Sequence, residues 1–207
     1  MKTEIKKVSD LSYVGNRDYI RGVDLLKFFF KFYDLNKSML ISRFSINKPI
    51  SKNGIWFSSK EKPERYSAHL NLFNGNENTS YWFLENADKI IRKDKDVPSL
   101  ILNIETKKTL CGNFKFTKLL SGNSFLDALV EANKKLHALE EQKIENGRPK
   151  IQLVYFENIY GLNIKHSDIK ITNLSIREVK DTIYTLSNIN SSNLSNPIRI
   201  CFSYLKK

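Results

Sequence analysis

One stretch, residues 17–33 (RDYIRGVDLLKFFFKFY), constrains the chain more than any other, because its core at 24–33 is apolar almost all the way round. Lys27 and Lys31 lie four residues apart and share one stripe, with Asp24 at its start. A helix with apolar residues on nearly every side is stable only when it is enclosed. Gly22 followed by Asp24 supplies the start signal, and Asn36-Lys37-Ser38 supplies the stop. The expectation is a helix with a sheet curled around it.

Strand-like segments follow at 39–46, 54–58, 66–73 and 80–84, with Asn53-Gly54 and Asn74-Gly75-Asn76 as turn chemistry that would join them into antiparallel hairpins. Pro49 would end a strand or place it at an edge. Residues 85–98 (ENADKIIRKDKDVP) are charged and turn-rich, and are read as a bridge between halves of 1–98 and 99–207. The second half opens with strands at 100–104 and 114–120 and then repeats the first at an offset of 100 residues. Gly22-Val23-Asp24-Leu25-Leu26 corresponds to Gly122-Asn123-Ser124-Phe125-Leu126, a glycine, a spacer, a capping type and two apolar residues. A second helix over 124–145 places Phe125, Leu129, Ala132, Leu136 and Leu139 on one face, with Lys134, Lys135, Glu140 and Glu141 turned to water. Asn146-Gly147 and Pro149 end it, and strands return at 151–156, 169–176, 182–186 and 198–204. Two units of lead segment, helix and about four antiparallel strands give an α+β chain, a double hotdog in which each sheet wraps one helix.

The net charge of +12 is spread evenly, each half carrying +6. An even basic field attracts acidic partners in general, whether nucleic acid, an anionic membrane surface or an acidic carrier protein. No stretch approaches the roughly 18 apolar residues of a membrane span, and no apolar run follows the basic amino terminus, so a soluble cytoplasmic protein is expected. Cys111 and Cys201 lack any CxxC spacing, so neither a disulfide framework nor a metal site is expected. No phosphate-binding glycine loop or other cofactor motif is present, and no cofactor is expected.

At Gly122 the sequence carries a short motif. Gly122-Asn123-Ser124-Phe125-Leu126-Asp127-Ala128-Leu129-Val130-Glu131 is similar to the active-site helix of hotdog dehydratases acting on 3-hydroxyacyl carrier-protein thioesters. That family's helix reads roughly Gly-x-x-x-Leu-Asp-Ala-Leu-x-Gln, and its aspartate delivers a proton to the leaving hydroxyl. The resemblance puts this role on Asp127, with Glu131 in place of the glutamine. The nearest layout is the double-hotdog dehydratase domain of polyketide synthases, whose first hotdog supplies a histidine and whose second supplies the aspartate.

The first half departs from that pattern. The family's His-x-x-x-Gly-x-x-x-x-Pro-Gly motif, ended on Gly22, puts Arg21 at the proline, Asn16 at the inner glycine and Ser12 at the histidine, with Tyr13 and Gly15 one residue out of register. Phe44-Ser45-Ile46-Asn47-Lys48-Pro49-Ile50 resembles the strand ending in proline and an aliphatic residue that follows the family's first helix. Dehydration needs a base for the α-proton and an acid for the departing hydroxyl. Asp127 is the candidate acid. His137 lies ten residues beyond it, about 15 Å along a helix, and His166 falls in a polar turn, so His69, in a predicted strand, is the candidate substitute base. Tyr13, Gly22 and Gly122 are candidate substrate contacts.

Three readings follow. The first is an acyl-thioester protein acting as a dehydratase-like lyase, isomerase or cyclase, with an acidic acyl carrier protein as partner. The second keeps the fold as a non-catalytic interaction subunit, and both readings admit a homodimer. The third, less favoured, is a nucleic-acid-binding module, for which zinc spacing, an aromatic RNA-binding run and a dense Lys/Arg stripe are all missing.

Overall fold

A computed structural model describes residues 5–8, 11, 19–31, 40–75, 77–89, 102–107, 111–141, 152–160 and 162–205. The chain divides into two compact units, Met1–Pro98 and Ser99–Lys207. The first holds β1 (Ile5–Val8), α1 (Gly22–Phe30), β2 (Leu40–Ile46), β3 (Lys52–Ser58), β4 (Ala68–Asn74) and β5 (Glu77–Lys89). The second holds β6 (Leu102–Lys107), β7 (Cys111–Leu120), α2 (Gly122–Glu141), β8 (Gln152–Ile159), β9 (His166–Val179), β10 (Thr182–Asn190) and β11 (Ile198–Leu205).

Helix α1 begins two residues before the apolar core of the sequence pattern. Arg21 at its N-cap is extended and makes no side-chain cap. Its guanidinium instead grips Asp24 through two 2.6 Å contacts, and that carboxylate lies in the first turn, where the helix dipole favours negative charge. Lys27 joins the same carboxylate at 3.8 Å, so the polar stripe is tied together and not simply solvated. Val23, Leu25, Leu26, Phe29 and Phe30 are buried around the helix. The stop signal at 36–38 lies outside the described residues.

In the first unit the strand order is β1-β3-β5-β4-β2, and these neighbours pair antiparallel. Phe29 meets Trp56 of β3 edge-on at 5.4 Å and Tyr81 of β5 at 5.1 Å. Successive strand residues alternate between faces, so Trp56, Tyr81, Phe83, Leu70 and Phe44 form the face under α1. Asn74 pairs with Glu77, closing the expected hairpin at Gly75. Asn53-Gly54, expected as a turn, lies inside β3. There Asn53 Oδ1 accepts the Leu11 amide, and a Cβ on Gly54 would stand 2.1 Å from the Leu84 carbonyl oxygen. The glycine answers a close approach between strands. β2 and β3 are not neighbours in this order. The expected bridge also starts later than 85, because β5 runs to Lys89.

The second unit has the order β8-β11-β10-β9-β7-β6, again antiparallel. Its core face carries Phe114, Ile169, Ile171, Ile189, Ile198, Ile200, Phe202 and Phe156, each 1% exposed or less. Helix α2 packs against β7 and β9. Leu136 lies so close over Gly112 that a Cβ there would come within 2.7 Å of its Cδ2. Of the expected apolar face, Phe125, Leu129, Ala132 and Leu136 are buried and the Leu139 side chain lies outside the described residues; Leu126, Ala128, Val130 and Asn133 are buried as well. Over this stretch α2 is therefore enclosed on almost every side, not one-faced. Among the described residues no helix is long and apolar enough to cross a membrane.

Candidate functional site

The two glycines matched in the sequence open their helices differently. Gly122 has φ of +55°, a left-handed conformation that strains any residue with a side chain, and its amide donates to the Leu162 carbonyl. Gly22 has no positive φ. The Ser124 hydroxyl donates back to the Ser121 carbonyl at 2.7 Å, so the entry to α2 is held by its own chain.

Phe125, in the first turn of α2, lies flat against His166 with ring centroids 3.8 Å apart and planes 13° from parallel. His166 is wholly buried at the first position of β9, not in a polar turn. Its Nδ1 is 2.9 Å from the Ser191 hydroxyl. Asp168 accepts the Ser192 hydroxyl at 3.1 Å. This cluster ties the start of β9 to the segment after β10. The sequence held one usable signal for it, the apolar Leu162 just upstream, which is 5% exposed.

Asp127 is half-buried between two wholly buried neighbours, Leu126 and Ala128. Each helical residue turns about 100°, so Asp127 lies on the side of α2 away from Phe125 and His166. Glu131 follows one turn later on the same side as Asp127. Its carboxylate is paired with Lys134 at 3.1 Å, with side chains 22% and 18% exposed, a half-buried pair that fixes it in place. The structure thus brings Asp127 and Glu131 together on one side of the helix that Gly122 opens.

His69 sits in β4, paired laterally with Trp82 of β5. Both belong to the sheet face opposite the one under α1. The imidazole stacks on the indole at 4.0 Å, and Tyr66 packs edge-on to that indole at 4.8 Å. Trp82 Nε1 donates to the Ser59 carbonyl. Burial pushes the His69 pKa below 6.5; a hydrogen bond with Asn71 opposes this, and the charges of Arg43 and Lys62 add to it. The ring therefore takes up a proton less readily than a free imidazole. Its Nε2 is buried without a hydrogen-bond partner among the described residues. Tyr13 lies outside the described residues, as do Ser12, Gly15 and Asn16. His137 is on α2. Among the described residues no group of three or more His, Cys, Asp or Glu side chains is placed to hold a metal ion.

This antiparallel sheet with its two helices, α1 and α2, is a hotdog fold. Among solved structures, the chain resembles hotdog-fold dehydratase domains of polyketide synthases. A monomeric dehydratase domain from a trans AT polyketide synthase split module matches over 100% of both chains, with a TM-score of 0.50 and 10% identity. A conserved protein with a hot dog fold from Alicyclobacillus acidocaldarius gives 0.49 at 8% identity, over 99% of this chain and 93% of its own. The dehydratase domain of PpsC from Mycobacterium tuberculosis, in complex with C12:1-CoA, gives 0.43 at 8% identity, over 99% and 92%. No protein-family model matches the sequence, and no curated protein matches it.

Proposed function

We propose that the chain is a double-hotdog protein that binds and processes acyl thioesters carried by an acidic carrier protein in the cytoplasm, with Asp127 as its acid. The observation that carries this reading is the likeness to a dehydratase domain over the full length of both chains. The position of the Gly122–Asp127 motif at the start of the 20-residue helix α2, largely buried over residues 125–136, supports it.

In the dehydration direction, a base removes the proton on the carbon next to the thioester. The bond from the neighbouring carbon to its hydroxyl breaks, the Asp127 carboxyl gives that hydroxyl its proton, and water leaves an enoyl thioester. Glu131 serves the helix through Lys134 and leaves proton transfer to Asp127. His69, flat against Trp82 on the outer sheet face, suits a packing role better than a base; Tyr13 and the segment leading to Gly22 are where a substrate contact in the first unit is expected. Isomerisation or cyclisation of the same carrier-bound chain would use the same acid.

The full chain is to be incubated with 3-hydroxyacyl and enoyl thioesters of pantetheine, and their interconversion followed by mass spectrometry. Wild type is expected to interconvert them, and Asp127→Asn to slow turnover by about 10²-fold or more while the thermal midpoint stays within a few degrees. No binding and no turnover of any thioester would sink the reading. The absence of the motif histidine at Ser12 favours a second one, a non-catalytic subunit that holds the acyl group. It predicts thioester binding without turnover, unchanged in Asp127→Asn.

A further inference from the structure

The edge of the second unit beside the start of α2 carries a surface that the chemistry at Asp127 does not use. Leu120 pairs with His166, and the Gly122 amide bonds to the Leu162 carbonyl, so residues 118–122 and 162–166 run side by side. On these segments Leu119 is 59% and Ile164 42% exposed. Lys118 and Lys165 adjoin them, and both are exposed. Further along the same two strands, Lys115 and Lys170 lie on one sheet face as diagonal neighbours, since Lys115 pairs with Asp168 and Asn113 with Lys170. None of the four lysines forms an ion pair among the described residues. The one carboxylate in residues 113–124 and 162–170 is Asp168, already engaged by Ser191 and Ser192.

Two exposed aliphatic side chains among four lysines, with Asp168 the one carboxylate in these segments, have a definite complement. We infer that Lys115, Lys118, Leu119, Ile164, Lys165 and Lys170 form the docking surface for an acidic protein that presents an aliphatic contact between its carboxylates, namely the carrier that delivers the acyl thioester. This rests on the acyl-thioester reading and adds to it a place on the molecule. Charge complementarity gives fast, salt-sensitive encounter, and the aliphatic pair gives register. Nucleic acid fits the surface less well, because these two segments contain no arginine, tyrosine or tryptophan to stack on bases. Their Phe114 is buried and Phe116 packs on Phe125.

The test is calorimetric titration of the full chain with an acyl carrier protein bearing a 3-hydroxydecanoyl group, beside the same acyl group on pantetheine alone. The carrier form is expected to bind about ten-fold more tightly or better at low salt, with the advantage shrinking as salt rises. The double variant Lys118→Glu/Lys165→Glu removes that advantage and leaves pantetheine-thioester binding and the far-UV circular dichroism unchanged. Leu119→Ser/Ile164→Ser, which alters no charge, weakens the carrier form alone. A carrier form with no advantage, or one indifferent to both variants, overturns the docking surface while the acyl-thioester reading stands. Carrier without its acyl group that still binds through the lysines, when neither thioester binds, upholds the surface and overturns the reading. A single-stranded oligonucleotide that binds through the same lysines, when the carrier does not, overturns the inference in favour of nucleic acid.

Discussion

At the scale of single residues, Gly54 separates local chemistry from long-range packing. Asn-Gly is the strongest short hairpin signal a sequence carries, and here it sits inside a strand, near the start of β3. What demands the glycine is Leu84, thirty residues away in sequence, whose carbonyl oxygen would stand 2.1 Å from a Cβ, with the Phe83 ring at 2.7 Å. Backbone on one side and a buried ring on the other leave little room to yield. Gly54→Ala is expected to cost about 1–3 kcal/mol, seen as a lower urea midpoint with an unchanged slope. His166 was illegible for a related reason: a polar tripeptide, His-Ser-Asp, looks like a turn until Phe125 is brought against it from a helix some forty residues upstream. The motif around Asp127 was legible because its residues are contiguous.

At the scale of elements, the apolar run of α1 announced its own enclosure. Phe29 is its centre, wholly buried and edge-on to Trp56 and Tyr81. Phe29→Ala is expected to cost about 3–5 kcal/mol. Phe28→Ala, at a half-exposed position one residue away, should cost much less, and paired urea denaturation curves check the difference. Helix α2 hid the same property, because Glu131, Lys134 and Lys135 interrupt its second apolar face. The Glu131–Lys134 pair lets charged side chains lie largely covered, so charge along a helix did not mean water. Most strands were visible in outline from their β-branched and aromatic runs. β1 was not, because four residues with two lysines, Ile5–Val8, carry no period that marks a strand.

At the scale of the whole molecule, two perturbed groups among the described residues shape the response to acid. Burial pushes Glu85 up, but a hydrogen bond from Lys48, the Ser51 amide, the Ser67 hydroxyl and the Lys48 charge outweigh it, so its carboxyl is held below 4.5. The contacts are short: 2.8 Å to the Ser51 amide, 2.8 Å to the Ser67 hydroxyl and 2.9 Å to Lys48. A carboxyl with a lowered folded pKa contributes stability that is complete above its unfolded value and is lost as pH falls through the folded one. His69 has the same sign. Below pH 6.5 the unfolded chain takes up a proton that the folded chain refuses, so stability falls from there down to the folded pKa. Thermal midpoints should therefore decline in two steps on acidification, the upper one flattened by His69→Gln and the lower by Glu85→Gln. A chain already at +12 gains further self-repulsion over the same range.

The chain has only two tryptophans, Trp56 and Trp82, and both belong to the first unit. They occupy opposite faces of one sheet: Trp56 touches Phe29 of α1, and Trp82 lies between His69 and Tyr66. Intrinsic tryptophan emission is thus a private signal of the first unit, with one fluorophore watching the helix side and the other watching the outer side. Trp56→Phe and Trp82→Phe separate those two channels.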